Sequence, residues 1–167
     1  MTTMTKPFLE LSAIDLMSRD LRVIPDNMPL REAAQLLLRH QVSGAPVVDH
    51  TGTLIGVLSA TDFVRQLGRR GDSNQKAQAA ESHECFCADW QMKETSELPT
   101  DAVRHFMTRD TVTTAPEASI TDLARMMVDA HIHRVIVVDE HNSPMGIVTS
   151  TDVLAAVARA QVEEAVA

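Results

Sequence analysis

The segment Gly56-Val57-Leu58-Ser59-Ala60-Thr61-Asp62 has a close copy 90 residues later, Gly146-Ile147-Val148-Thr149-Ser150-Thr151-Asp152. The same offset joins Met17-Ser18-Arg19-Asp20 to Met107-Thr108-Arg109-Asp110, and Val47-Val48-Asp49 to Val137-Val138-Asp139. A single register that holds over about fifty residues without a gap indicates an internal duplication. The chain is therefore predicted to fold as two copies of one structural unit.

Both copies show the same periodicities, which predict the element order β-α-β-β-α. Apolar residues at i, i+3, i+4 and i+7 predict a one-sided helix in each copy, and short apolar runs around a turn predict two strands after it. The predicted extended pieces are 21–24 and 111–114, the helices 29–40 and 119–130, and the strands 45–48, 54–58, 135–138 and 145–148. A final helix begins near Ser59 or Thr149, and in the second copy it extends over 153–167.

The predicted fold class is mixed α/β (α+β), with two repeats that enclose their core together. Neither copy alone is large enough to bury much apolar surface, so we expect face-to-face packing about a pseudo-two-fold axis. The first repeat is placed at 11–68 and the second at 101–167, with a linker at 69–100. The linker contains an apolar cluster around the single tryptophan, Trp90, and is expected to dock on the body of the protein.

The composition excludes several classes of protein. The 167 residues carry 15 basic and 23 acidic side chains, for a net charge of −8, which is unsuited to non-specific nucleic-acid binding. Aromatic residues make up only 3% of the chain, too few for a base-stacking platform. No apolar run reaches the length of a membrane span, and 1–11 lacks an apolar signal core. We therefore expect a cytoplasmic protein. The sequence contains no recognisable set of catalytic residues, so we do not expect an enzyme.

The two repeats resemble the cystathionine-β-synthase (CBS) domain, and two in tandem resemble a Bateman module. The resemblance is carried by 43–49 with 56–62 and by 133–139 with 146–152. It implies a free-standing regulatory module, without a required cofactor, that binds AMP, ADP, ATP or S-adenosylmethionine in clefts between the repeats. It also implies pairing of two such modules, here as a homodimer, and a change in the conformation of a regulated protein whose identity is unknown.

Two polar corners are candidates for ligand contact, Ser59-x-x-Asp62 and Thr149-x-x-Asp152. This spacing is typical of a capping box at a helix start, which satisfies two backbone N–H groups. The alternative is that the carboxylate accepts both hydroxyls of a ribose while the helix N-terminus favours a phosphate. The resemblance implies ribose and phosphate contacts at these positions.

A basic pair, His133-Arg134, is the candidate phosphate-binding pair, because the arginine guanidinium offers a planar set of hydrogen-bond donors and histidine can donate as well. The matching positions of the first repeat, Ser43 and Gly44, carry no charge, so the stronger nucleotide site is predicted at Arg134. The alternative is a solvated pair at a strand start. The residues expected to surround the base, each of which could equally be ordinary core, are Val23, Ile24, Gly44, Pro46, Val112, Thr113, Thr114 and Ile136.

Two other functions remain open. His83, Cys85 and Cys87 are suitable ligands for zinc, but a structural zinc site needs four ligands, and the fourth would have to come from His105 or a second chain. A cysteine pair at this spacing could also respond to redox conditions. Alternatively, the chain is a ligand-free interaction scaffold whose working surface is the cluster around Trp90.

Overall fold

The structure, a computed structural model, describes residues 6–70 and 98–166. The chain divides into two compact units, which we call the central unit (22–110) and the terminal unit (1–21 with 111–167). These units are offset from the repeats predicted at 11–68 and 101–167. The first part of the first repeat (11–21) belongs to the terminal unit, and the first part of the second repeat (101–110) belongs to the central unit.

The observed elements follow the predicted order in both repeats, and most helix and strand limits agree to within one residue. In chain order they are α1 (Ala13–Leu16), β1 (Ile24–Pro25), α2 (Leu30–Arg39), β2 (Gly44–Val48), β3 (Leu54–Ser59), α3 (Ala60–Arg70), β4 (Thr113–Thr114), α4 (Ile120–Asp129), β5 (Arg134–Val138), β6 (Pro144–Thr149) and α5 (Ser150–Val166). Short 3-10 helices cover Phe8–Glu10 and Val103–His105. The predicted mixed α+β class is confirmed.

Each unit contains one three-stranded sheet with the same topology. In the central unit β1 runs parallel to β2, and β2 runs antiparallel to β3 with Gly44 opposite Ser59. In the terminal unit β4 runs parallel to β5, and β5 runs antiparallel to β6 with Arg134 opposite Thr149. The predicted face-to-face packing of the two copies stays a prediction.

The core of each unit is completed by a segment from outside its own repeat. In the central unit the buried face of α2 meets Leu98, near the end of the linker, and Val103, near the start of the second repeat. In the terminal unit Ala13 and Met17, which begin the first repeat, join the apolar side chains of α4, β5 and β6. These segments bury apolar area that neither repeat could cover alone.

A glycine in each unit lets the added segment approach closely. A Cβ on Gly146 would lie 2.8 Å from the carbonyl oxygen of Ser18 and 2.7 Å from Sδ of Met17. Gly56 meets Thr108 and Met107 at the same two distances. The repeated methionine and glycine are thus packing partners across repeats, and their contact explains why the units are offset from the duplicated sequence.

None of the helices in the described part of the chain combines the length and the apolar character needed to cross a bilayer.

Candidate functional site

The polar corner of the central unit lies where β3 passes into α3, and its centre is Asp62. Oδ2 of Asp62 accepts hydrogen bonds from the backbone N–H and from Oγ of Ser59, both at 2.8 Å. Oδ1 accepts from Nη1 of Arg65 at 3.2 Å and from Oγ1 of Thr108 at 3.1 Å. The Asp62 side chain is only 3% exposed, whereas that of Arg65 is 59% exposed. This buried carboxylate is fully engaged by its own chain.

At the corresponding corner of the terminal unit, where β6 passes into α5, only one of the two carboxylate oxygens of Asp152 accepts hydrogen bonds from described residues. Oδ2 of Asp152 accepts from the backbone N–H and from Oγ1 of Thr149, both at 2.7 Å. The Asp152 N–H donates back to Oγ1 of Thr149 at 3.3 Å, which completes a capping box. No residue that the structure describes donates to Oδ1 of Asp152, and its side chain is partly exposed. The 90-residue counterparts of Arg65 and Thr108 are Ala155 and Ser18.

Helix capping is therefore present at both corners, and the same motif caps two further helices. Ser12 donates to Asp15 through its N–H at 3.0 Å and its Oγ at 2.8 Å. Oγ of Ser119 donates to Oδ2 of Asp122 at 2.7 Å and accepts the Asp122 N–H at 3.1 Å. Nζ of Lys6 also donates to both oxygens of Asp15, which, with the bonds from Ser12, lowers the pKa of Asp15 from 3.8 to about 2. The motif alone consequently does not distinguish a ligand-binding corner from a cap.

The basic pair lies at the edge of the terminal unit beside the Asp152 corner. His133 and Arg134 are both exposed, and Arg134 is opposite Thr149 in the sheet. The carbonyl oxygen of His133 accepts the N–H of Ser150 at 2.9 Å, which joins the start of β5 to the start of α5. Arg134, the N-terminus of α5 and the half-engaged carboxylate of Asp152 thus belong to one corner of the terminal unit.

The central unit has no room for a comparable side chain at the matching position. Gly44 is buried opposite Ser59, and a Cβ there would lie 2.8 Å from the carbonyl oxygen of Leu58. Ser43 is exposed and uses its carbonyl oxygen to accept the N–H of Ala60 at 2.9 Å. The charge difference predicted from the sequence therefore coincides with a steric difference at the backbone.

The residues expected to surround the base divide by burial. In each unit these residues lie on or beside two adjacent strands: Ile24 on β1 is paired with β2, and Thr113 on β4 is paired with Ile136 on β5. The buried members are Ile24, Gly44, Pro46, Thr114 and Ile136; Val112 and Thr113 are partly exposed and Val23 is exposed. Ile24 and Ile136 are core residues. Among these candidates the accessible surface therefore comes from Val23, Val112 and Thr113.

Two residues at the central corner, Arg65 and Thr108, were not among the predicted site residues. Thr108 belongs to the repeated Met-x-Arg-Asp motif, in which both copies place a hydroxyl at the second position, and this was the available signal. Arg65 follows Asp62 by three residues on a helix, a spacing that brings side chains together. The motif could suggest the hydroxyl, but its acceptor lies 46 residues away along the chain.

The metal and redox hypotheses rest on His83, Cys85 and Cys87, which, with Trp90, lie outside the described residues. Among residues 6–70 and 98–166, no group of three or more His, Cys, Asp or Glu side chains could hold a metal ion.

Comparison with known proteins gives one family and several related structures. The CBS domain model matches residues 13–69 and 103–159. Uncharacterized protein MJ1426 of Methanocaldococcus jannaschii is 30% identical over 154 residues, which cover 85% of this chain and 88% of that protein. Another relative, the L-aspartate semialdehyde sulfurtransferase of the same organism, is 27% identical over 139 residues, but the match spans only 22% of its length and 83% of this chain.

The solved structures that share the fold include two with adenosine-containing ligands. The CBS domain pair of protein MJ0100, in complex with 5-methylthioadenosine and S-adenosyl-L-methionine, has a TM-score of 0.66 at 22% identity and covers 89% of this chain and 97% of that one. CBSX2 in complex with AMP has a TM-score of 0.67 at 23% identity and covers 90% and 98% of the two chains. With both sequence repeats matched by the family model, this chain belongs to the CBS domain family and contains a pair of CBS domains.

Proposed function

We propose that this protein is a regulatory module that binds an adenine nucleotide or another adenosyl ligand. The related CBS structures contain AMP, S-adenosyl-L-methionine and 5-methylthioadenosine, three molecules that have an adenosine group in common. A ligand of this class presents a ribose diol, a planar base and, in the nucleotides, an anionic phosphate. The terminal unit offers a chemical partner for each of these groups.

One observation carries the proposal: Arg134 lies directly opposite Thr149, the residue that holds Asp152 through Oδ2 and leaves Oδ1 available. A carboxylate oxygen with two available lone pairs can accept both vicinal hydroxyls of a ribose. The Arg134 fork is suited to a phosphate, which the N-terminus of α5 also favours. In this proposal His133 adds a donor near the same phosphate.

The strand edges supply the proposed contacts to the base. Thr113 and Val112 are partly exposed on or beside β4, and backbone groups there can read the edge of an adenine. The candidate residues of the central unit, including Val23, stay a prediction. So do a cytoplasmic location, a homodimer and a regulated partner.

The proposed role is regulatory rather than catalytic. A ligand changes a conformational equilibrium only by binding one state more tightly than another, and that difference would set partner choice. Relatives such as the sulfurtransferase are much longer than this chain, which matches only part of them. The regulated protein would therefore be another domain or a separate chain.

Isothermal titration with AMP, ADP, ATP, S-adenosylmethionine and 5-methylthioadenosine tests the proposal. At least one of these ligands is expected to bind below millimolar concentration. Asp152→Asn and Arg134→Ala should each weaken that binding by about tenfold to a hundredfold, the loss expected for a charge-assisted hydrogen bond. Asp122→Asn is the matched control, because Asp122 belongs to the same motif at another helix of the same unit.

Failure of all five ligands to bind would refute the proposal and favour the ligand-free scaffold. Equal weakening by Asp122→Asn and Asp152→Asn would show that the loss reflects helix capping rather than ligand contact.

A further inference from the structure

We infer that the chain has one open adenosine site, at Asp152, because Arg65 and Thr108 close the matching carboxylate at Asp62. This inference rests on the proposed function and specifies how many ligands the protein binds. It also identifies Arg65 and Thr108 as the residues that determine the number.

The hydrogen bonds to the two carboxylates carry the argument. An ionised carboxylate has about four acceptor positions on its two oxygens. At Asp62 all four are used, by the N–H and Oγ of Ser59, by Arg65 and by Thr108. At Asp152 only the two from Thr149 are used by described residues. A ribose diol requires two free positions, which Asp152 has and Asp62 lacks.

The difference between the corners follows from two positions of the duplicated sequence. Arg65 corresponds to Ala155, whose side chain has no donor, and Thr108 corresponds to Ser18, whose hydroxyl makes no hydrogen bond to Asp152 in the described structure. Burial agrees with this, since Asp62 is 5% exposed while Asp152 is partly accessible. The cap itself is common to both corners and cannot account for the difference.

The closure at Asp62 resists displacement by a ligand. The backbone of Thr108 is fixed by two hydrogen bonds with Val57, each 2.9 Å long, so the threonine stays beside the carboxylate and only its hydroxyl can rotate away. Arg65 adds an opposite charge at 3.2 Å. A ribose must displace both donors before it binds. The Thr108 bond to the buried carboxylate corresponds to about tenfold in affinity, and the contact of the exposed Arg65 adds less because solvent screens its charge.

Equilibrium dialysis with AMP, read as ligands bound per chain, tests the inference. The wild-type protein is expected to bind one AMP per chain. Asp152→Asn should weaken that binding by about tenfold to a hundredfold, so that at an AMP concentration near the wild-type Kd the count falls toward zero. The double variant Arg65→Ala/Thr108→Val should bind a second AMP, because it frees the two acceptor positions of Asp62. Adding Asp152→Asn to the double variant should return the count to one.

Controls separate closure from general effects on the unit. Arg104→Ala removes another arginine of the central unit, one that pairs with Asp26 at 3.9 Å, and should leave the count at one. Thermal unfolding reports whether each variant is folded. Should the double variant fail to fold, Arg65→Ala alone removes a largely exposed side chain and should reveal a weak second site.

Two AMP bound per wild-type chain with affinities within threefold of each other would overturn the inference and leave the proposed function standing. A folded double variant that still binds one AMP would overturn it as well. Absence of AMP binding in every variant, combined with no response to the other adenosyl ligands, would refute the proposed function and this inference with it.

Discussion

Replacing Gly146 by alanine should destabilise the terminal unit through a clash with the start of the first repeat, at Met17 and Ser18. The new Cβ would lie 2.8 Å from the carbonyl oxygen of Ser18, although an ordinary contact begins near 3.4 Å, and 2.7 Å from Sδ of Met17. The flexible thioether can move, but the carbonyl is held by the N–H of Ile147 at 3.1 Å. The backbone contact therefore decides the cost.

The magnitude combines three terms. Overpacking of this kind costs about 1–3 kcal/mol, and loss of the backbone hydrogen bonds between Ser18 and Ile147 adds about 1 kcal/mol each. Alanine also restricts the unfolded chain, which offsets about 0.4–1 kcal/mol. We expect Gly146→Ala to lower the free energy of unfolding by about 2–4.5 kcal/mol, measured by urea denaturation followed by circular dichroism.

Two further glycines provide matched comparisons. Gly56→Ala meets Met107 and Thr108 at the same distances and should cost a similar amount in the central unit. Gly52 has a φ of +87° with nothing within 4 Å of a Cβ, so Gly52→Ala should cost only about 1 kcal/mol, for backbone conformation alone. The reasoning is refuted if Gly146→Ala is no more destabilising than Gly52→Ala.

Three other predictions concern single contacts. Lys6→Ala should raise the pKa of Asp15 from about 2 toward 3.8, which NMR titration measures, and an unchanged pKa would contradict the ion pair. The lowered pKa of Asp15 stabilises the fold above pH 3.8, and this contribution vanishes as the pH falls through 2. Leu98→Ala should cost about 2–5 kcal/mol in urea denaturation, since this buried side chain completes the central core, and a loss below 1 kcal/mol would argue against its docking. Ser119→Ala removes the acceptor for the N–H of Asp122 and should lower the free energy of unfolding, measured by urea denaturation, by about 1 kcal/mol. An unchanged free energy of unfolding would show that this cap does not stabilise α4.

Much of each repeat was predictable because the signals are local. The apolar period of Leu30–Arg39 and the short apolar runs at Gly44–Val48 and Leu54–Ser59 are read within a dozen residues, and duplication provided each signal twice. The limits of these elements agree with the structure to within one residue. Local periodicity does not report which distant segment covers the remaining apolar face.

The candidate site was only partly predictable for the same reason. The sequence marks Asp62 and Asp152 as equivalent, and the charge of Arg134 against the absence of charge at Gly44 indicates that the corners differ. It does not show that Thr108 reaches Asp62, since 46 residues separate them. Whether a carboxylate has free lone pairs depends on every neighbour in space.

The amino-acid sequence by itself determined the duplication, the β-α-β-β-α order and the positions of the polar corners, because these depend on spacing along the chain. Only the tertiary structure decided that each unit takes in the first residues of the other unit's repeat, and that Asp62 is saturated while Asp152 is not. Both outcomes arise from contacts between residues far apart in sequence, where close packing selects which backbone fits beside a glycine and which donor reaches a buried carboxylate.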